Sequence, residues 1–336
     1  MAEPSSATCP ICEGEARHRI TARDHLYGNP GTWDLYRCVD CGHGFQHPLP
    51  PDDAALSRFY PEQYYAFAPP ATDLTPRGLR RRGIWLLMHR LKRTAGYDHL
   101  PIRGDRLLSA AAAKVLPRRP LDMDAPRFRP GGRLLDFGCG SGEHVARMAF
   151  LGWTAEGIEI DDAAAAAGRS AGLDIATGSS EILAARPGRY DEIRSSHSLE
   201  HVVDPRGFME AAFTALRPGG RIAVDLPNGD AASFERYGPY WLYLTLPVHV
   251  HIFSPGSLAR LVRDAGFGDV RVNSYSPWKA QARSARLRRL GPAAADGAVL
   301  DGPVTRRDRL AALPGRIAAA ARLKGDCLVM TARRPA

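Results

Sequence analysis

The stretch Leu134–Asp161, LLDFGCGSGEHVARMAFLGWTAEGIEID, constrains the fold of this chain more than any other. An apolar run, RLLDF, breaks into glycines at alternate positions: Gly138, Gly140 and Gly142. A helical pattern, EHVARMAFLG, follows, and then a second apolar run, TAEGIEI, that carries acids. A strand, a glycine loop and a helix in that order present free backbone N–H groups to a ligand, and glycine lets the ligand come close. Glu159 ends the second strand 23 residues after Asp136, where a carboxylate can accept both hydroxyls of a ribose. A pyrophosphate fingerprint reads GxGxxG, whereas this loop reads D-x-G-x-G-x-G, with an acid ahead of the first glycine. An acid repels a pyrophosphate and attracts an ammonium. The loop therefore suits a nucleoside that carries an ammonium group and no phosphate.

Beyond the stretch, strand and helix patterns keep alternating. DDAAAAAGRSAG reads as a helix, DIATG and YDEIRSS as strands, and DPRGFMEAAFTALRPGG as a helix closed by Pro-Gly-Gly. RIAVDLP is a strand, and SPGSLARLVRDAGF is a helix capped by Ser254 with Pro255 at its first position. DVRVNSYS and DCLVMTARR are the last strands, separated by an insert with two helices at about 279–322. This order predicts an α/β fold: a Rossmann-like, parallel sheet with helices on both faces.

These residues resemble class I S-adenosylmethionine-dependent methyltransferases, from about Gly132 to Arg334. The resemblance implies that Asp136, Gly138, Gly140 and Gly142 cradle the methionine part of S-adenosylmethionine, and that Glu159 binds the ribose. It places Ser179 or Ser180 by the adenine and His197 beside the methyl group. SSHSLEHVVDPRGFMEAAFTALRPGGRIAVDLPN and YGPYWLYLTLPVHVHIFSPGSLARLVRDAGF look like the bacterial small-molecule branch. Glu192 and Arg194 depart from the pattern, because the family's fourth strand is usually apolar.

Cys9 and Cys12 (CPIC) and Cys38 and Cys41 (CVDC) form two knuckles with 25 residues between them. Each knuckle offers two thiolates from one turn, so together they complete a tetrahedral, structural zinc site. Two disulfides are the alternative, disfavoured in a reducing cytoplasm. His43 and His47 lie close by and are not needed as ligands. The sequence thus predicts a zinc-ribbon module over residues 1–66. Linker and basic amphipathic helices forming a helical lid follow over 67–130, and the methyltransferase domain over 131–336. Tyr60, Tyr64, Tyr65 and Phe67 either staple the ribbon to the next domain or wall a binding site. Ile84, Leu87, Met88 and Leu91 recur at helical spacing.

At 44% hydrophobic and 24% charged, the composition is that of a globular chain. No apolar run reaches the ~20 residues that span a bilayer, and the N-terminus lacks a secretory pattern. A cytoplasmic location is the expectation. The net charge of +9 is concentrated between Arg77 and Arg133, with 15 Lys/Arg against 4 Asp/Glu. A local basic block fits an anionic partner or a solvated helical face. Nothing in the pattern fixes an oligomeric state.

Methyl transfer to a hydroxyl or a carbon acid needs a base, and histidine suits that role. The candidates are His197, His249, His251 and His201, with Tyr240 outside them. The fifth strand offers only Asp225 and Asn228 to a cation, so no catalytic metal is expected; His249 and His251, two apart and on one face if extended, are the alternative ligand pair. The leading expectation is an enzyme methylating oxygen or carbon of a small molecule: a sugar, a polysaccharide precursor or a secondary metabolite. RNA methylation using the ribbon and basic helices is the alternative, and a non-catalytic cofactor-binding protein the third reading.

Overall fold

The computed structural model describes residues 6–60, 70, 88, 90–92, 94–100, 125–291, 304–319 and 323–336. The expectations for Tyr64, Tyr65, Phe67, Ile84, Leu87 and most of the 67–130 lid lie outside these residues. In chain order the strands are β1 (Ala7–Thr8), β2 (Glu15–Ala22), β3 (Trp33–Cys38), β4 (Gly44–Gln46), β5 (Arg133–Phe137), β6 (Thr154–Glu159), β7 (Ile175–Thr177), β8 (Tyr190–Ser196), β9 (Leu216–Pro227), β10 (His251–Ile252), β11 (Gly268–Tyr275) and β12 (Cys327–Arg333). The helices are α1 (Glu143–Phe150), α2 (Asp162–Ser170), α3 (Ser180–Ala184), α4 (Pro205–Ala215), α5 (Ala232–Tyr237), α6 (Pro255–Asp264), α7 (Trp278–Leu290) and α8 (Arg306–Ala319).

One sheet has the order β1-β2-β3-β4-β10, and the other β11-β12-β9-β8-β5-β6-β7. In the second, β8, β5, β6 and β7 are parallel neighbours, while β11 and β12 are antiparallel. The sheet is therefore mixed rather than parallel throughout. The Pro-Gly-Gly expected to close α4 instead lies in β9. Gly219 donates to the Arg334 carbonyl and Gly220 accepts from the Arg334 amide, both at 2.9 Å, so the glycines are held by ladder bonds.

By contacts the chain divides into two units. One comprises Tyr65–Ser195, Thr214–Ala223 and Arg334–Ala336. Its strand β5 is buried along nearly its whole length, as a strand covered on both faces should be. Helix α1 turns Val145, Ala146 and Met148 inward, and Met148 joins Leu134, Leu151, Trp153, Tyr97 and Leu91 in a core. Full burial of each such apolar side chain contributes about 1.5–3 kcal/mol. Trp153 Nε1 donates to the Tyr97 hydroxyl at 3.0 Å, which donates to the Pro126 carbonyl at 2.8 Å, so both buried polar tips are paired.

The other unit comprises Met1–Tyr64, Ser196–Phe213 and Val224–Arg333. The four-cysteine module thus clusters with the later part of the chain. Its sheet gains β10 as an edge partner, with His251 opposite Phe45 and Ile252 opposite Gly44. Leu35, Ile252, Trp241, Phe234 and Leu246 form a shared core beneath. Polar contacts reinforce the join: Arg37 meets Asp230 at 2.6 Å, and Ser254 Oγ donates to the Cys41 carbonyl at 2.8 Å. Ser254 also caps α6, with Pro255 at its first turn, in a reciprocal pair with Ser257. Asp52 Oδ1 accepts from Ala55 N at 2.8 Å, while Asp53 Oδ1 accepts from Val203 N at 2.6 Å.

Candidate functional site

The glycine loop runs from β5 into α1. Gly142 caps α1 at φ 91°, and a Cβ there would lie 2.7 Å from Ile175 and Leu173 side-chain carbons. Only glycine fits the turn without displacing them. Glu159 closes the loop from the end of β6: Oε2 accepts from Gly140 N at 2.7 Å and Oε1 from Asp161 N at 3.0 Å. Burial pushes its carboxyl above the usual range, while those two amides pull it back. Each oxygen still has a lone pair to offer a hydroxyl. Glu159 is level with Thr177 on β7, and Ser179 and Ser180 follow as that strand gives way to α3.

Asp136 on β5 is level with Arg194 on β8, and their side chains meet at 2.6 Å. Burial pushes the Asp136 carboxyl up, and Arg194 only partly offsets this. Glu192 pairs with Arg221 at 2.7 Å. The two charged residues that interrupt the fourth strand are therefore compensated.

In the other unit, the four cysteine sulfurs lie within 4.8 Å of one another. Cys9 and Cys41 Sγ are 3.7 Å apart, and Cys12 and Cys38 Sγ 3.3 Å, beyond the ~2.05 Å of a disulfide. Four converging sulfurs suit a tetrahedral thiolate-bound ion.

The histidines fall into two groups. His197 is the first residue beyond β8 and adopts φ 52°, unusual for a side chain with a Cβ. Its amide donates to the Asp225 carbonyl at 2.7 Å, and its ring stacks on Tyr243 at 5.8 Å. Nδ1 lies 3.2 Å from Oε1 of Glu200, which is fully buried. Burial works against the charge of His197. Hydrogen bonds to Cys327 and Glu200, with the charges of Glu200 and Asp225, outweigh it and hold the imidazole well above the usual range. Burial likewise raises Glu200, but His197 pulls it below the usual carboxylate range.

His201 Nδ1 is 2.8 Å from the Val248 carbonyl and 2.9 Å from the Tyr60 hydroxyl. His249 Nδ1 is 2.8 Å from the Tyr243 carbonyl, and its ring meets His201 edge-on at 4.7 Å. Burial lowers both, His249 to about 3 with the help of repulsion from His201. His251 turns away from them: its Nδ1 is 3.0 Å from Nε2 of His43, and burial lowers it to about 4. An extended HxH pair sharing one face is thus not formed, because β10 begins only at His251. The Tyr240 ring packs at a tilt against His25, with centroids 4.7 Å apart. Asn228 Nδ2 donates to the Leu323 and Gly325 carbonyls at 3.0 and 2.7 Å, which is a structural role. Glu200, Tyr243 and Arg194 are residues to which sequence reasoning gave no function. Only Glu200, in the LEH stretch, had a visible signal.

The residues present fit S-adenosylmethionine. The loop is closed by Glu159, whose spare lone pairs match two ribose hydroxyls, and Asp136, the acid ahead of the glycines, is a buried carboxylate paired with Arg194.

A family model described as a methyltransferase domain matches residues 106–272. The ubiquinone biosynthesis O-methyltransferase of Burkholderia pseudomallei (strain 1710b) is 32% identical over 170 residues, covering 46% of this chain and 73% of that protein. Its counterpart in Xanthomonas campestris pv. campestris (strain B100) is 33% identical over 179 residues, covering 48% and 75%. Among solved structures, an S-adenosylmethionine-dependent methyltransferase from Archaeoglobus fulgidus has a TM-score of 0.45 and 17% identity, covering 69% of this chain and 95% of that one. No helix among the described residues is long and apolar enough to cross a membrane. On its identity to relatives covered over most of their length, and on the domain match, the chain belongs to the class I S-adenosylmethionine-dependent methyltransferases.

Proposed function

We propose that this enzyme methylates an oxygen of a small molecule, with His197 as the general base and a structural zinc on Cys9, Cys12, Cys38 and Cys41. When bound, S-adenosylmethionine supplies a methyl group on a sulfonium already activated for displacement. The chain then has to align the acceptor, exclude water and take up a proton. Glu159 accepts the ribose hydroxyls, Asp136 faces the ammonium, and Ser179 or Ser180 lies by the adenine.

The contact between His197 and Glu200 carries the reading. A buried carboxylate 3.2 Å from Nδ1 fixes the ring's orientation and favours its protonated form, so the ring serves as a base only once that proton is lost and transfer should rise with pH; Tyr243 lies parallel to the ring. His197 stands beyond the carboxyl end of a parallel strand, where ligands bind in open α/β sheets. Oxygen is favoured as the acceptor atom because the relatives are O-methyltransferases by name.

Methyl transfer from labelled S-adenosylmethionine to extract small molecules, by the wild type and by His197→Gln, tests the base. Loss of transfer with unchanged affinity for S-adenosylhomocysteine supports it. Transfer at the wild-type rate by the variant overturns it.

A further inference from the structure

We propose that Glu200, His201 and His249 form a second metal site, separate from the four cysteines, that takes a divalent transition-metal ion. One donor atom from each lies within 4.8 Å of the others. Oε1 of Glu200 faces His197, but Oε2 is buried and has no hydrogen-bond partner among the described residues. An unsatisfied buried acceptor costs about 1–3 kcal/mol, more if charged, so its retention asks for an occupant.

The two histidines are oriented as ligands are. His201 Nδ1 faces the Val248 carbonyl and His249 Nδ1 the Tyr243 carbonyl, each at 2.8 Å. A carbonyl can only accept, so Nδ1 carries the proton in both rings and the lone pair sits on Nε2. Ligating histidines are fixed by a backbone carbonyl on the other nitrogen in just this way.

Two imidazole nitrogens and one carboxylate oxygen select zinc or iron(II)-type ions over magnesium or calcium, which prefer all-oxygen sets. Three protein ligands leave a coordination position open for an oxygen ligand. The fifth strand, where the sequence directed the search for cation ligands, contributes none of them. They come from the turn after β8 and the loop before β10.

The inference goes beyond the methyl-transfer reading, and its test needs no acceptor. The full chain is stripped of metal and reloaded with cobalt(II) alone. The expected wild-type spectrum holds a thiolate charge-transfer band from the cysteines and separate ligand-field bands from a second, nitrogen- and oxygen-bound ion. Glu200→Gln and His249→Ala are each expected to lose the second ion and keep the thiolate band, with circular dichroism unchanged. If His249→Ala does not fold, the near-isosteric Glu200→Gln decides. Absence of a second ion in the wild type, or its retention in Glu200→Gln, overturns the proposal. Failure of the methyl-transfer reading would leave the cobalt spectrum unchanged.

Discussion

Replacing Arg194 by methionine leaves the Asp136 carboxylate buried without its cation. In the native chain the side chains are 17% and 3% exposed and meet at 2.6 Å, so little solvent can substitute for the guanidinium. The Asp136 carboxyl is already raised by burial despite Arg194, and it must rise further in the variant. A raised carboxyl binds its proton more tightly in the folded state than in the unfolded state. The penalty is therefore absent below the ordinary pKa and grows as pH rises from there towards the raised value. If the variant folds with a neutral Asp136, protonating a group of pKa about 3.9 costs about 5 kcal/mol at about pH 7.5 and about 1.5 kcal/mol at about pH 5, an upper limit on the loss because the native carboxyl is itself raised. The first figure agrees with the about 3–5 kcal/mol found on breaking buried ion pairs. Urea unfolding of the full chain at both pH values measures the difference. Adding Asp136→Asn to Arg194→Met should recover most of the loss at the higher pH. An equal loss at both pH values, or a double variant no more stable than the single one, would refute the argument.

Glu159→Ala should weaken S-adenosylhomocysteine binding about 10–100-fold, since hydrogen bonds to a charged group are worth about 1.5–3 kcal/mol; calorimetry showing unchanged affinity would remove Glu159 from the ribose site. Gly157→Ala puts a Cβ 2.5 Å from Cys139 Sγ, so it should cost about 1–3 kcal/mol in urea unfolding and be relieved by Cys139→Ala; no relief would mean that the strain lies elsewhere. Removing zinc by chelation, or substituting Cys38→Ser, should lower the melting temperature and speed amide exchange at Gly44–Gln46 and His251–Ile252, because β4 and β10 are paired. Unchanged exchange there would mean that the sheet stands without the ion.

The β5–loop–α1–β6 segment was legible residue by residue, because a glycine turn, a helix period and a strand-end acid are all local signals. So was the Ser254 cap with Pro255. What escaped depends on long-range pairing. Strand β10 is two residues long and exists only because β4 offers it an edge, and His43 meets His251 across 208 positions. Arg194 read as a disruption of a buried strand until Asp136, 58 positions earlier, supplied its counter-charge. Four histidines could be named as candidates, but not which of them Glu200 gathers. The carbonyls that fix His201 and His249 come from a loop with no periodicity. The reversal of β12 against β11 was likewise invisible, since strand patterning carries no direction.

Whether the acceptor is a small molecule is decided by where the methyl group ends up. The full chain is incubated with methyl-labelled S-adenosylmethionine and a cell extract, and the extract is separated into RNA and small molecules. The expected result is label in a ribonuclease-resistant small-molecule fraction. Label carried by RNA, and released by ribonuclease, would contradict a small-molecule acceptor and make the basic block at Arg77–Arg133 the substrate track.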